Sequence, residues 1–246
     1  MYALLMREVI TRYGRDNLGV LWLFVEPMLF TLAITVLWTT AGMHHGSSLP
    51  IVAFAVTGYS SVLLWRNCAL RSSMAIGQNL SLLFHRNVKV IDIFLTRIVL
   101  EIAGASASFA ILATLFIAFG WMSPPVDMLK VMGGWLMLAW LGTALALTIG
   151  AGTGYYHVVE RLWHPTSYIM FPISGAAFMV DWLPPDLQKI VLLLPMVHGT
   201  EMLRDGFFGA AERTHYDVGY MALCSLILTW AGLYLVRGAG LRVESQ

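Results

Sequence analysis

The sequence predicts an all-α membrane protein: an N-terminal amphipathic interface helix, six transmembrane helices, and short re-entrant outer helices before the last span. Three observations lead there. First, 58% of the 246 residues are hydrophobic and 12% are charged, with a mean hydropathy of +0.72. A soluble domain carries about 25% charged residues, so this chain lacks the charge to coat a 27.3 kDa globule in water. Soluble enzymes, disordered tails and nucleic-acid binders are therefore poor readings, and Lys+Arg 15 against Asp+Glu 14 gives no pull toward an acidic partner. Second, the apolar residues gather in six uncharged runs, near the ~20 residues a helix needs to cross a bilayer. Third, the basic residues are asymmetric. With the N-terminus inside, the inner segments hold Arg7, Arg12, Arg15, Arg66, Arg71, Arg86, Lys89, Arg97, Arg161, Arg237 and Arg242, and the outer ones only Lys130, Lys189, Arg204 and Arg213. That bias places both termini in the cytoplasm.

The elements follow in order. In residues 1–20, Leu4, Leu5, Val9, Ile10 and Tyr13 share one helical face, with Arg7, Glu8, Arg12 and Arg15 mostly elsewhere. This is the pattern of a helix lying in the cytoplasmic interface; the alternative is a charged leader. No small-residue cleavage site trails the next apolar run, which argues against a secretory signal. The first span covers 28–43 and extends back through 18–25, with Pro27 suited to a helix start. The second runs over 49–65 and ends at Arg66. The segment 66–97 is too polar to cross and too apolar to be a linker, so it reads as a short helix for a protein partner or as a solvated loop. Spans three to six cover 102–126, 131–159, 162–180 and 218–236. Within 131–159, the Gly/Ala/Thr-rich stretch 142–154 suits close helix packing. The apolar run 190–197 is too short to span and reads as re-entrant. After it, Glu201 and Arg204 stand i,i+3 and can pair on one face. Trp22, Trp65, Trp121, Trp163 and Trp182 fall near span ends, as an aromatic belt does.

Chemistry-bearing motifs are scarce. The sequence contains no G-x-x-x-x-G-K-[ST] phosphate loop, no H-E-x-x-H and no G-x-S-x-G. His44 and His45 read as polar turn residues, and His157 and His164 as interface groups flanking a cytoplasmic turn. Cys68 and Cys224 read as small buried hydrophobes. No ionisable residue lies mid-span in spans two, four, five or six, which lowers an ion-coupled carrier.

Three segments carry a resemblance. The first is Arg7-Glu8-x3-Arg12-Tyr13-x4-Leu18-Gly19-x-Leu21-Trp22-x3-Glu26-Pro27. The second is Val88-x3-Asp92-x4-Arg97-x3-Glu101. The third combines Ser174-Gly175 and Leu183-Pro184 with Leu194-Pro195-Met196-Val197-His198-Gly199-x-Glu201-x2-Arg204-x-Gly206-Phe207-Phe208. In this order they resemble ABC-2-type exporter permeases, and the Glu-Pro ending looks like the capsular polysaccharide branch. Leu194 stands where that family often has Asn.

The resemblance implies a single transmembrane domain over 1–246 without an ATPase site of its own. Two copies would form a pore driven by two copies of a separate ABC ATPase subunit, which would hold the ATP and Mg; no cofactor is expected in this chain. It implies a lipid-linked polysaccharide as substrate, a Gram-negative inner membrane, a periplasmic co-polymerase and an outer-membrane channel. The ATPase contact then falls to residues 80–97 of the coupling segment 66–97, with Phe84, His85, Arg86, Lys89 and Asp92 as contributors. Arg7, Arg12, Tyr13 and Arg15 would meet either the phosphate end of the substrate or ordinary membrane lipid headgroups. Tyr59, Ser60, Tyr155, Tyr156, Tyr168 and Phe171 are pore-lining candidates, with helix packing as the alternative. His198, Glu201 and Arg204 in the outer segment 183–216 would gate the exit. The rivals are a permease for another substrate (O-antigen-like polysaccharide, teichoic acid, lipid or drug), an ATP-independent carrier, and an intramembrane transferase.

Overall fold

A computed structural model describes residues 2–13, 19–41, 49–83 and 88–244. These residues are helical with short connections, and no strand occurs among them. The order is α1 (Tyr2–Tyr13), α2 (Gly19–Thr40), α3 (Ile51–Ser73), two single turns α4 (Ala75–Gln78) and α5 (Leu80–Leu83), α6 (Val90–Ala118), α7 (Met128–Tyr155) and α8 (His157–Phe171). A π-helical turn (Pro172–Ala176) and a 3-10 turn (Val180–Trp182) lead to α9 (Pro185–Val191), α10 (Pro195–Phe208), a second 3-10 turn (Gly209–Ala211) and α11 (Val218–Glu244). Among the described residues, three helices are long and apolar enough to cross a membrane: Val90–Ala118, Met128–Tyr155 and Val218–Gly240.

Several span ends differ from the sequence expectation for identifiable reasons. α2 begins at Gly19, so Pro27 lies inside it rather than at its start; membrane helices tolerate this where neighbours re-satisfy the freed backbone. α3 does not stop at Arg66 but runs on to Ser73, and α6 begins at Val90 rather than after Glu101. The segment 66–97 is therefore largely the ends of two long helices, bridged by α4 and α5. The fourth and fifth spans meet at Tyr156, whose extended backbone (φ −141°, ψ 114°) separates α7 from α8. His157, Glu160 and Arg161 thus belong to the first turns of α8 and not to a loop. α8 stops at Phe171, because Pro172 and a left-handed Gly175 (φ 85°) turn the chain. The last helix continues through Arg237. The apolar run 190–197 is divided between the end of α9 and the start of α10, with Pro195 opening the latter.

α7 is the centre of the packing, with α3, α10 and α11 against it. Small residues let the backbones approach. A methyl on Gly142 would meet Trp65 Cα at 2.9 Å, and one on Gly150 would meet Ser72 O at 2.9 Å, both on α3. Gly134 faces the backbone of Leu203 and Gly199 on α10. Trp65 is accordingly buried in this contact and not in a belt, whereas Trp22 and Trp121 are exposed. Because the Gly142 clash is with backbone, Gly142→Val is expected to cost about 3 kcal/mol by overpacking. Thermal unfolding of the purified protein in detergent checks this, with Gly77→Val, which meets open space, as the neutral control.

Candidate coupling cluster and outer cap

At the α1 end, charged side chains pair with one another across helices. Arg97, 3% exposed on α6, is the hub. Its Nε lies 3.1 Å from Glu8 Oε1 on α1, its Nη1 donates to Arg71 O at 2.6 Å, and its Nη2 donates to Gln78 Oε1 at 2.7 Å. Arg71 in turn pairs with Glu26 on α2 at 2.6 Å and approaches Glu101 at 3.8 Å. Arg7 donates to Asn79 Oδ1 at 3.2 Å, and Asn79 Nδ2 donates to Ala75 O. Five elements (α1, α2, α3, α4 and α6) are tied by these contacts. Leu4, Arg7, Glu8, Asn79, Leu82, Ile93 and Thr96 line a small cleft between them.

The expected site residues meet this cluster only in part. Asp92 caps α6 by accepting from the Lys89 amide at 3.0 Å, while the Lys89 side chain is exposed beside it. Phe84, His85, Arg86 and Arg15 lie outside the described residues, as do His44, His45 and the side chains of Arg12 and Tyr13. On α1 the expected apolar face is only half right. Leu4, Leu5 and Val9 are half-buried, but Ile10 is 61% exposed and Glu8 is buried. The helix turns inward the acid that Arg97 needs.

The outer segment forms a cap closed by α10. Arg204 is fully buried. Its Nη1 donates to Gly175 O at 2.5 Å and Phe178 O at 2.7 Å, its Nη2 donates to Ala176 O at 2.7 Å, and its Cζ sits 3.8 Å from the Phe54 ring centroid. The π turn exposes carbonyls that no helix satisfies, and one guanidinium collects them. Glu201, also fully buried, accepts from the Val180 amide at 3.2 Å and the His215 amide at 3.0 Å. The expected Glu201–Arg204 ion pair is not made; each side chain serves a different stretch of backbone. Burial pushes the Arg204 guanidinium down to about 10, opposed by Glu201, and raises the Glu201 carboxyl against the pull of those amides and of Arg204. His198 accepts from the Asp217 amide at Nδ1 (2.9 Å), so Nε2 carries the hydrogen directed at Leu192 O (2.8 Å). These three residues fasten the cap's loops to α10.

Between the two ends lies a chain of rings. Phe171 meets Tyr59 at 5.2 Å and Phe30 at 5.9 Å, Tyr59 meets Trp38 at 5.3 Å, Trp38 stacks on Phe54 at 5.9 Å, and Phe54 stacks on Trp182 at 5.1 Å. Tyr59 and Phe171 are thus brought together, with Ser60 buried beside Tyr59 in the chain. The remaining path candidates lie elsewhere. Tyr155 donates to Leu235 O at 3.1 Å and fastens α7 to α11, whereas Tyr156 and Tyr168 are 68% and 62% exposed. Phe30, Trp38 and Phe54 complete the chain of rings and were not among the pore-lining candidates, although each is uncharged, aromatic and in an expected span.

Comparison with known proteins places this architecture. Residues 1–208 match the model of the ABC-2 type transporter family. The chain is 44% identical to the capsule polysaccharide export inner-membrane protein CtrC of Neisseria meningitidis serogroup B, covering 99% of this chain and 92% of that protein. It is 42% identical to the capsule polysaccharide export inner-membrane protein BexB of Haemophilus influenzae over the same shares. Against the polysialic acid transport protein KpsM of Escherichia coli the identity is 26%, over 96% and 91% of the two chains.

Proposed function

The chain belongs to the ABC-2 type transporter family, and we propose that it is the permease subunit through which capsular polysaccharide, carried on a lipid anchor, crosses the inner membrane to the periplasm. The observation that carries this reading is the 44% identity to a capsule polysaccharide export protein along nearly the whole chain. The finer picture has two copies of the chain around a pore and two copies of an ATPase subunit beneath it. The missing phosphate loop supports an external energy source. In this picture α2, α3 and α8 join the three long apolar helices to make six crossings, with both termini cytoplasmic and α1 in the interface. The bias of basic residues toward the inner segments supports that orientation.

The mechanism needs rigid transmission, because a push on one end must move whole helices and not single side chains. The ATPase bears on the exposed Lys89 and the segment around it. The Glu8–Arg97–Arg71 and Arg71–Glu26 contacts join α1, α2, α3 and α6 into one body that receives the push. The Arg204 cap holds the far end as a unit. Sugar rings present apolar C–H faces that suit the more exposed rings of Phe30 and Phe171, which the buried Tyr59 holds in place. Deleting the gene is expected to trap polysaccharide inside the cell, and affinity capture of the tagged chain is expected to recover a phosphate-loop ATPase. Surface capsule at the parental level in the deletion strain would overturn the reading.

A further inference from the structure

Arg66 is the one buried guanidinium among the described residues that no acceptor satisfies. Its side chain lies inside α3, about 10 Å from the helix end at about 1.5 Å per residue, and is 7% exposed. Arg97 and Arg204 each hold several acceptors, as described above. Around Arg66, by contrast, no ion pair or hydrogen bond forms among the described residues, and its Nε is enclosed without a partner. Its contact is with a ring: Cζ lies 4.4 Å from the centroid of Tyr168 on α8. Tyr168 is 62% exposed and stands about 16 Å along α8 from His157. The guanidinium is therefore held against a residue that faces away from the helix packing, deep along the bundle rather than at its end. The same helix carries a second enclosed donor without an acceptor, Trp163 Nε1.

A charge inside a membrane helix is costly and is retained where it serves a path or a ligand. An aromatic face holds a guanidinium without using its N–H donors. Those donors match paired anionic oxygens. We propose that Arg66, positioned by Tyr168, is a binding station for the carboxylate or phosphodiester oxygens of an acidic polysaccharide in transit. The station rests on the export reading and adds to it the residue that meets the polymer's anionic groups. An anionic lipid headgroup presents the same oxygens, so the test separates the two sources.

The permease–ATPase complex is reconstituted in nanodiscs of phosphatidylcholine alone, and binding of a labelled sialic acid oligomer and a neutral glucose oligomer of equal length is followed by fluorescence anisotropy. The wild type is expected to prefer the acidic oligomer by about tenfold, and Arg66→Gln to lose that preference with neutral binding unchanged. Arg66→Lys, which keeps the charge without the fork, should retain part of it. If Arg66→Gln does not assemble, Arg66→Lys and Tyr168→Leu, the latter at an exposed side chain, carry the test with an expected loss of about threefold. Equal acidic preference in wild type and variants overturns the station. So does a defect confined to nanodiscs containing phosphatidylglycerol, which would assign Arg66 to lipid. Surface capsule at the parental level with Arg66→Gln overturns the station and leaves the export reading standing, whereas parental capsule in the deletion strain removes the export reading itself.

Discussion

Replacing Arg204 with leucine is expected to abolish export and to destabilise the protein by about 3–5 kcal/mol. Leucine fills part of the volume but leaves the carbonyls of Gly175, Ala176 and Phe178 without the donor that gathers them. A buried acceptor stripped of its partner costs its full desolvation. The loss spreads to Glu201, whose buried carboxyl is drawn down by Arg204 and would become harder still to ionise. Arg204→Lys should fall between, since an ammonium keeps the contact with the Phe54 ring but cannot reach three carbonyls at once. Unfolding midpoints in detergent and surface capsule together check this. A stable Arg204→Leu protein that fails to export would make the cap a moving gate, and an unstable one would make it a fastening.

The second large effect is expected at the opposite end. Arg97→Ala removes a side chain whose polar contacts reach α1, α3 and α4 from α6, and deprives the buried Glu8 of this partner. Breaking a buried pair by truncating one member costs about 3–5 kcal/mol. The more specific outcome concerns coupling. Glu8→Gln, which keeps the shape and a hydrogen bond, should leave the protein folded while export falls about tenfold and ATP hydrolysis by the assembled complex continues, because one tenfold step corresponds to only about 1.4 kcal/mol of lost linkage. Parallel measurement of ATP turnover and surface polysaccharide decides it. If both fall together, the cluster serves assembly and not transmission.

The long apolar helices were legible because a bilayer imposes length and composition on them, and α6, α7 and α11 follow directly. The helix ends were not. A hydropathy window stops at charge, so Arg66, Arg97 and Glu101 were read as boundaries, although α3 and α6 run through all three. Charges paired across helices cost the helix nothing that composition can register, and the partner of Arg97 lies on α1, far away in sequence. The outer segment was recognisable from its prolines, which open α9 and α10. The i,i+3 spacing of Glu201 and Arg204 suggested a mutual pair, but spacing on one helix says nothing of a loop folding back over it. The left-handed Gly175 creates the carbonyls that Arg204 answers, and a single glycine in a glycine-rich chain does not announce that turn.

The central place of α7 also has a consequence in time. A ribosome adds about 5–20 residues per second, and about 60 residues separate the end of α7 at Tyr155 from the start of α11 at Val218. The groove that Gly142 and Gly150 open toward α3 is filled at once, since α3 is already made. The groove at Gly134, which receives α10 about 40 residues later, stays unoccupied for about 2–8 seconds, and the face that receives α11 for about 3–12 seconds. During that interval the middle helix of the bundle has half its neighbours, and the insertion machinery holding it during synthesis governs how many chains reach the finished arrangement.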